Sequence, residues 1–256
     1  MGRFAIFVYA VASYAIGMAS LVYMVAWLGN FWVPNAIDAP AVVNVQRAAI
    51  VNSLLFGAFA IQHSVMARPW FKSWWTRIVP KPAERATYVL TSGLALFALM
   101  LLWQPLGGIV WNVETPLLRT LLYAGYGIGW AILVSSTFCL CHFDLFGLRQ
   151  AWLHFTERPH TPLSFATPGF YRFVRHPIYV GWITLAWLTP TMTISHLAFA
   201  VATSVYILLA IRWEERDLVA IHGDDYERFR LTTPMLIPRF SRAPVVQFEQ
   251  SYSESP

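Results

Sequence analysis

The sequence predicts an all-α integral membrane protein, a polytopic transmembrane helical bundle with four long spans and a short C-terminal helical hairpin. Hydrophobic residues make up 57% of its 256 residues, and charged residues only 12%. A soluble domain carries about 25% charged residues, so the low value indicates a chain that folds in lipid. Several apolar runs approach the roughly 20 residues that a helix needs to cross a bilayer. The lipid bilayer is therefore an expected partner.

Four long runs are predicted to span the membrane, at residues 4–31, 47–66, 87–103 and 117–141. The first is too long for the apolar core of a cleavable signal peptide and lacks a cleavage-site pattern, so we interpret it as a span. Residues 1–240 are predicted to form one membrane domain, followed by a polar tail at 241–256.

A shorter helical hairpin follows a polar loop at 142–176. Its first helix, at 178–188, is too short to cross a core of about 30 Å at 1.5 Å per residue. Residues 189–196 contain a proline and clustered hydroxyl side chains, which predict a turn. Residues 197–211 are then predicted to return as a second short or tilted helix.

The basic residues predict the orientation of the bundle. If the hairpin returns to the side where it starts, Arg47 and Arg119 lie on one side and the other sixteen of the 18 Lys and Arg residues on the other. Short cytoplasmic loops carry an excess of basic residues, so both termini are predicted to face the cytoplasm. This topology accounts for the net charge of +5, and no nucleic-acid partner is expected.

A basic, aromatic and proline-containing segment, residues 171–181, lies directly before the hairpin; we call it the elbow. Pro177 pushes His176 out of the helical region and can itself open the next helix. Gly181, one turn later, permits close approach. Two interpretations stay open on this pattern alone: a corner that faces a ligand, or a bent connector whose basic residues meet lipid phosphates.

Glu214 and Glu215 lie at the predicted cytoplasmic end of the second hairpin helix. Cations would suit both the topology and the helix dipole better at this place. Two carboxylates there indicate a cationic or hydroxyl-bearing ligand.

A third polar group follows the fourth span, where His142 and Asp144 suggest an acid–base pair and Arg149 would favour an anion. His63, near the end of the second span, either faces the bundle interior or lies at headgroup depth. Cys139 and Cys141 beside His142 are too few to complete a tetrahedral site, so no metal is predicted.

The elbow and the downstream carboxylates together resemble the isoprenylcysteine carboxyl methyltransferase superfamily. The motif is Arg175-His176-Pro177-x-Tyr179-x-Gly181, a hydrophobic hairpin, and then Glu214-Glu215-x-x-Leu218, Gly223, Tyr226 and Pro238. A closer resemblance, to a bacterial branch that methylates small thiols, rests on residues 62–68, 84–88, 142–150, 189–193 and 214–218. The resemblance covers about residues 1–240.

The resemblance implies an enzyme of the bacterial inner membrane that transfers a methyl group from S-adenosylmethionine to a small volatile thiol. Methanethiol would give dimethyl sulfide, and hydrogen sulfide is a second candidate acceptor. The cofactor would lie in the part of the chain from about 142 to 240, in a cytoplasmic C-terminal segment. Carried over by position, the cofactor-binding residues are Arg175, His176, Pro177, Tyr179, Gly181, Glu214, Glu215 and Tyr226.

The thiol must react as its anion, so a proton acceptor is needed. We predict that His142, positioned by Asp144 or helped by His63, accepts the proton while Arg149 steadies the anion.

Three alternatives stay open. An NADPH-dependent membrane reductase of the sterol-reductase type shares the elbow, but the phosphates of NADPH would favour arginines over Glu214 and Glu215. A methyltransferase acting on a lipid-linked thiol or carboxylate is the second; the carboxyl methyltransferase branch has an arginine one turn before the first glutamate, where this chain has Ala210. The seven histidines suggest the third, a non-enzymatic haem- or metal-binding subunit.

Overall fold

The computed structural model describes residues 2–161 and 163–238, and the predicted tail at 241–256 lies outside them. The described chain is almost entirely helical. Its α-helices are α1 Arg3–Gly29, α2 Val45–Ala67, α3 Pro69–Trp75, α4 Lys81–Leu102, α5 Pro116–Cys139, α6 His142–Leu145, α7 Leu148–Phe155, α8 Pro177–Trp187, α9 Ile194–His222 and α10 Asp224–Thr232. Two short strands, β1 Ile109–Asn112 and β2 Thr191–Thr193, and a 3-10 turn at Gly169–Arg172 complete it.

Five of these helices, α1, α2, α4, α5 and α9, are long and apolar enough to cross a membrane. The four predicted spans are confirmed. The second hairpin helix differs from its prediction, because α9 has 29 residues and runs without a break from Ile194 to His222. No proline or glycine interrupts it before Gly223, so the helix continues through the charged residues at 212–217.

Helix α8 is short, as predicted, with 11 residues and a length of about 16 Å. It packs closely on α5 because glycines face each other: a Cβ on Gly181 would lie 2.8 Å from the carbonyl oxygen of Gly129. A helix this short cannot carry the elbow to the far end of α9. The elbow therefore meets α9 at Glu214 and Glu215, about two turns before α9 ends at His222.

The main hydrophobic core lies where α1, α4 and α9 meet, away from the elbow. Trp27, Trp103 and Phe199 pack edge to face, with ring centroids 5.3–5.8 Å apart. Closer to the elbow, α1 and α4 approach at Gly93, whose Cβ would lie 3.1 Å from the Cα of Gly17. The dense core leaves the polar side chains to the two ends of the bundle. We call these the elbow end and, at the hairpin turn, the apex end.

The apex end contains an antiparallel pairing of β1 with β2, which the prediction of a plain turn at 189–196 missed. Asp38, from the loop between α1 and α2, forms hydrogen bonds with this pair of strands. Its Oδ1 accepts hydrogen bonds from Thr193 N at 2.9 Å and Thr193 Oγ1 at 2.7 Å, and its Oδ2 lies 2.9 Å from His196 Nδ1. Asp38, Thr193 and His196 form what we call the apex cluster.

His196 in the apex cluster is fully buried, with 0% exposure. Its second ring nitrogen, Nε2, lies 3.1 Å from the carbonyl oxygen of Ala186 at the end of α8. Both ring nitrogens of His196 therefore face oxygen atoms of the protein. Burial alone would raise the pKa of Asp38, but the hydrogen bond and charge of His196, aided by Asn30 and Thr193, lower it below its usual value.

Candidate active site

The elbow is held in place by the chain that follows α10. The backbone N–H groups of Arg175 and His176 donate to the carbonyl oxygens of Pro234 and Met235, at 2.9 and 3.2 Å. The Arg175 side chain donates to the carbonyl oxygen of Thr233 at 2.6 Å. Since Pro177 lacks a backbone N–H and begins α8, the elbow turns sharply at this point. The C-terminal segment therefore forms one wall of the site.

Glu215 connects the elbow to α9. Its Oε1 accepts from Arg175 Nε at 2.8 Å and faces His176 Nε2 at 3.1 Å. The Glu215 side chain is only 13% exposed, and the three groups satisfy one another. Together they give the elbow a rigid frame.

Glu214 is in a different situation, although it is the neighbouring residue. Its side chain is 42% exposed, and the Tyr179 hydroxyl donates to its Oε2 at 2.8 Å. The nearer ring nitrogen of His176 lies 3.9 Å away. A carboxylate offers about four acceptor positions, and the hydrogen bond from Tyr179 fills one. Glu214 therefore has negative charge and acceptor capacity to offer a ligand.

Tyr226, on α10, is 2% exposed, and its hydroxyl has no hydrogen-bond partner within the described residues. Burial, followed by the nearby charges of Glu215 and Glu214, raises its pKa, so the hydroxyl keeps its proton. Buried polar groups are nearly always paired. An unpaired donor beside two carboxylates marks a place for a ligand atom.

Most of the predicted cofactor-binding residues converge at this place: Arg175, His176, Tyr179, Glu214, Glu215 and Tyr226. Pro177 begins α8 and so lies at the turn between the elbow and that helix. Gly181 differs from the expectation, because its missing side chain is explained by the contact with Gly129 and Leu133 of α5. The imidazole of His176 also differs, since it faces Glu215 within the frame.

His63 contacts Tyr88 of α4. The Tyr88 hydroxyl lies 3.0 Å from His63 Nε2 and 3.2 Å from Nδ1, and Nδ1 is also 3.2 Å from Ser92 Oγ. Tyr88 lies within electrostatic range of Glu214, Tyr206 and Tyr179. Sequence reasoning missed Tyr88 and Tyr206, although Tyr88 lies in one of the segments that carried the resemblance.

The other predicted catalytic residues form a separate group. His142 Nε2 lies 2.8 Å from the Tyr14 hydroxyl and Nδ1 2.8 Å from Thr137 Oγ1. The carboxylate of Asp144 instead accepts a hydrogen bond from the guanidinium of Arg149 at 2.9 Å. The predicted pairing of His142 with Asp144 is therefore wrong: residues two apart on a helical turn do not face each other.

Arg149 has further partners that hold it in place. It donates to the carbonyl oxygen and the hydroxyl of Thr161, at 3.0 and 2.8 Å. Burial lowers the pKa of His142. The catalytic roles proposed for His142, Asp144 and Arg149 stay predictions, and these contacts give all three a structural role.

Comparison with known proteins places this polytopic helical bundle, with its carboxylate-lined elbow, among the integral membrane methyltransferases. The family model described as "Isoprenylcysteine carboxyl methyltransferase (ICMT) family" matches residues 130–220. These residues include the elbow, α8 and most of α9. The chain belongs to this family.

Within the family, the chain is similar to proteins named methanethiol S-methyltransferase. The relative from Crocosphaera subtropica is 48% identical over 93% of both chains. The relative from Mycobacterium tuberculosis is 42% identical, covering 93% of this chain and 98% of its own. The relative from Pseudomonas deceptionensis is 41% identical over 92% of this chain and 90% of its own. No solved structure matches the chain.

Proposed function

We propose that this methyltransferase uses S-adenosylmethionine to methylate a small thiol, converting methanethiol to dimethyl sulfide. The observation that carries the proposal is the presence at the elbow of a half-exposed carboxylate, Glu214, and of a buried hydroxyl, Tyr226, that has no partner in the part of the chain that the structure describes. The names of the similar proteins support methanethiol as the acceptor. Hydrogen sulfide, which has the same reacting group, is a second acceptor to be tested.

The residues at the elbow fit S-adenosylmethionine. When bound, this cofactor supplies a methyl group on a positively charged sulfonium and also carries an ammonium group. Glu214 provides the matching negative charge, and Tyr226 provides a hydrogen-bond donor. The ring of Phe165 packs at 5.9 Å from that of Tyr226 and 5.7 Å from that of Phe229, which gives the site an aromatic wall suited to a planar base. Arg175, His176 and Glu215 hold this arrangement together.

The acceptor side favours an uncharged molecule. The thiol reacts as a thiolate, and its negative charge disappears when it combines with a sulfonium. A dry site of low polarity solvates separated charges poorly and so speeds such a step, but it also raises the pKa of the thiol. The enzyme must therefore supply a proton acceptor. Ala210, one turn before Glu214 on α9, offers no charge to a carboxylate acceptor.

We also propose that the elbow end faces the cytoplasm of the bacterial inner membrane, where S-adenosylmethionine is available. Basic residues support this orientation. Arg68, Lys72, Arg85, Arg149, Arg175 and Arg216 all lie at the elbow end, whereas Arg47 and Arg119 lie at the start of α2 and α5, at the apex end.

Headspace gas chromatography tests the proposed function. Purified protein in detergent is given methanethiol with S-adenosylmethionine, methanethiol with NADPH, or S-adenosylmethionine with hydrogen sulfide. We expect dimethyl sulfide in the first reaction, and heat-inactivated protein is the control. Absence of any product that depends on S-adenosylmethionine would contradict the proposal, and a product that depends on NADPH would favour the reductase.

A further inference from the structure

We propose that His63 and Tyr88, rather than His142, activate the acceptor thiol. This inference rests on the proposed function and assigns the proton-accepting step to a specific pair of residues. The acceptor sulfur must come within about 3.5 Å of the transferred methyl group. The proton acceptor must therefore lie beside the elbow site, close to the partly exposed carboxylate of Glu214.

Three tyrosines from three helices lie within electrostatic range of Glu214. Tyr179 on α8 donates to it directly, at 2.8 Å. Tyr206 on α9 and Tyr88 on α4 lie within electrostatic range of both Glu214 and each other. Of these three hydroxyls, that of Tyr88 contacts a histidine, His63. Tyr179 is bound to Glu214, and Tyr206 lies 2.9 Å from Ser64 Oγ.

The contacts of His63 suit a proton acceptor. With Nδ1–H donated to Ser92 Oγ at 3.2 Å, the free electron pair is on Nε2, 3.0 Å from the Tyr88 hydroxyl. The ring stacks on Phe59, with centroids 5.3 Å apart. The charged groups in electrostatic range of His63 are Arg85 and Arg68.

The same arginines suit an anion at Tyr88. The guanidinium of Arg85 lies over the Tyr88 ring, 5.1 Å from its centroid, and Arg85 Nε donates to the carbonyl oxygen of Leu145 at 2.8 Å. Arg68 is fixed by its ion pair with Asp217 at 2.8 Å. Nearby positive charge favours the thiolate over the thiol.

Two of the other histidines at the elbow end, His176 and His142, already have partners in the protein. His176 is held by Glu215 in the frame of the elbow. His142 stacks on Phe138, with centroids 4.2 Å apart, and Tyr14 and Thr137 occupy its two nitrogens. Thr137 Oγ1 also donates to the carbonyl oxygen of Val134 at 2.6 Å, so it accepts from Nδ1–H. Nε2 of His142 then accepts the Tyr14 hydroxyl.

The proposed step balances as follows. The thiol proton moves to the Tyr88 oxygen while the Tyr88 hydroxyl proton moves to His63 Nε2, which leaves a thiolate and an imidazolium. The thiolate sulfur then forms a bond to the methyl carbon as the bond between that carbon and the sulfonium sulfur breaks. Two neutral thioethers result, and His63 later releases its proton to water.

A set of single substitutions tests the proposal. Tyr88→Phe and His63→Gln are compared with Tyr9→Phe, the matched control, because the Tyr9 hydroxyl donates to Thr87 on the same helix at 2.9 Å. We expect kcat/KM for methanethiol to fall about 100-fold in Tyr88→Phe and His63→Gln. The Kd for S-adenosylmethionine should change less than about 2-fold. In Tyr9→Phe, kcat/KM should stay within about 2-fold of wild type.

A spectroscopic readout needs neither turnover nor cofactor. Protein labelled with ¹⁵N-histidine is titrated with methanethiol alone, and His63→Gln identifies the His63 signals. We expect methanethiol to shift these signals in the wild type and to leave them unmoved in Tyr88→Phe.

Failure of this inference is distinct from failure of the proposed function. If wild type makes dimethyl sulfide but both variants behave like Tyr9→Phe, the assignment is wrong while the function stands. A pH profile altered by His142→Gln, and by neither of the two variants, would return the role to His142. If wild type makes no product, the proposed function itself fails.

Discussion

Each end of the α8–α9 hairpin has a buried histidine facing a carboxylate. At the apex end, both oxygens of Asp38 accept hydrogen bonds, and both nitrogens of His196 face protein acceptors. At the elbow end, His176 Nε2 faces Glu215 Oε1, but the adjoining Glu214 is 42% exposed, and the hydroxyl of Tyr226 has no partner within the described residues. The two regions use the same residue types and differ in what is left unpaired.

This difference separates a structural cluster from a functional one. A fully matched buried pair positions the chain: the apex cluster joins the α1–α2 loop, the start of α9 and the end of α8. An incomplete cluster has charge and hydrogen-bonding capacity that a ligand can satisfy. Because α8 connects the two clusters, the apex cluster also limits how far the elbow can move.

The largest effect is expected at the apex. Asp38→Asn removes a buried carboxylate that Thr193 and His196 both contact, and removing one partner of a buried pair of this kind costs about 3–5 kcal/mol. We expect the free energy of unfolding in detergent micelles to fall by about that amount. The matched change Asp225→Asn, at a surface pair with Arg228, should cost less than about 1 kcal/mol. Equal losses in the two variants would remove the distinction between the clusters.

The next largest effect is expected at the elbow, where a substitution should change cofactor binding and leave the free energy of unfolding almost unchanged. Glu214→Gln keeps the shape but removes the charge, so binding of S-adenosylmethionine should weaken roughly 10- to 100-fold. The free energy of unfolding should change little, because Glu214 is partly solvated. Titration calorimetry measures the binding, and thermal unfolding measures the stability. The control is Glu227→Gln, which changes an exposed carboxylate on α10. A large loss of stability with unchanged binding would make Glu214 structural.

Tyr226→Phe tests the role of the Tyr226 hydroxyl, for which no partner is found among the described residues. Removing a hydroxyl without a partner should leave stability unchanged or slightly higher, while S-adenosylmethionine binding weakens roughly 5-fold. Tyr126→Phe is the comparison, because its hydroxyl donates to the carbonyl oxygen of Val25 at 2.7 Å. It should lose about 1 kcal/mol of stability and keep normal binding. The opposite pattern would contradict the account of the site.

The smallest expected effect is a dependence of the folding stability on acidic pH. The pKa of Asp38 is lowered in the folded state, so its contribution is fully present above the unfolded value of about 3.9. That contribution is lost as the pH falls through the lower folded value. The stability difference between wild type and Asp38→Asn should therefore stay constant from pH 7 to about pH 5 and shrink below about pH 4. A difference that shrinks near pH 6 would point to another group.

The sequence predicted the spans, the short α8 and the meeting of the elbow with Glu214 and Glu215, because hydropathy, proline and glycine act locally. It missed that residues 197–211, expected as a short or tilted helix, belong to one unbroken helix of 29 residues. The contact between Asp38 and His196 joins residues 158 positions apart, which no local pattern reveals. Tyr88 was missed for the same reason, as its neighbours Tyr179, Tyr206 and Glu214 come from distant helices.

Hydrogen–deuterium exchange with and without saturating S-adenosylmethionine tests the comparison most directly. We expect the cofactor to slow exchange in peptides covering the elbow, residues 171–181, and α10 with the segment to 235. Peptides covering the apex, residues 189–196, should exchange equally slowly in both states, because their hydrogen bonds are already complete. Protection at the apex alone, or unchanged exchange at the elbow under saturating cofactor, would contradict the assignment of the elbow as the ligand site.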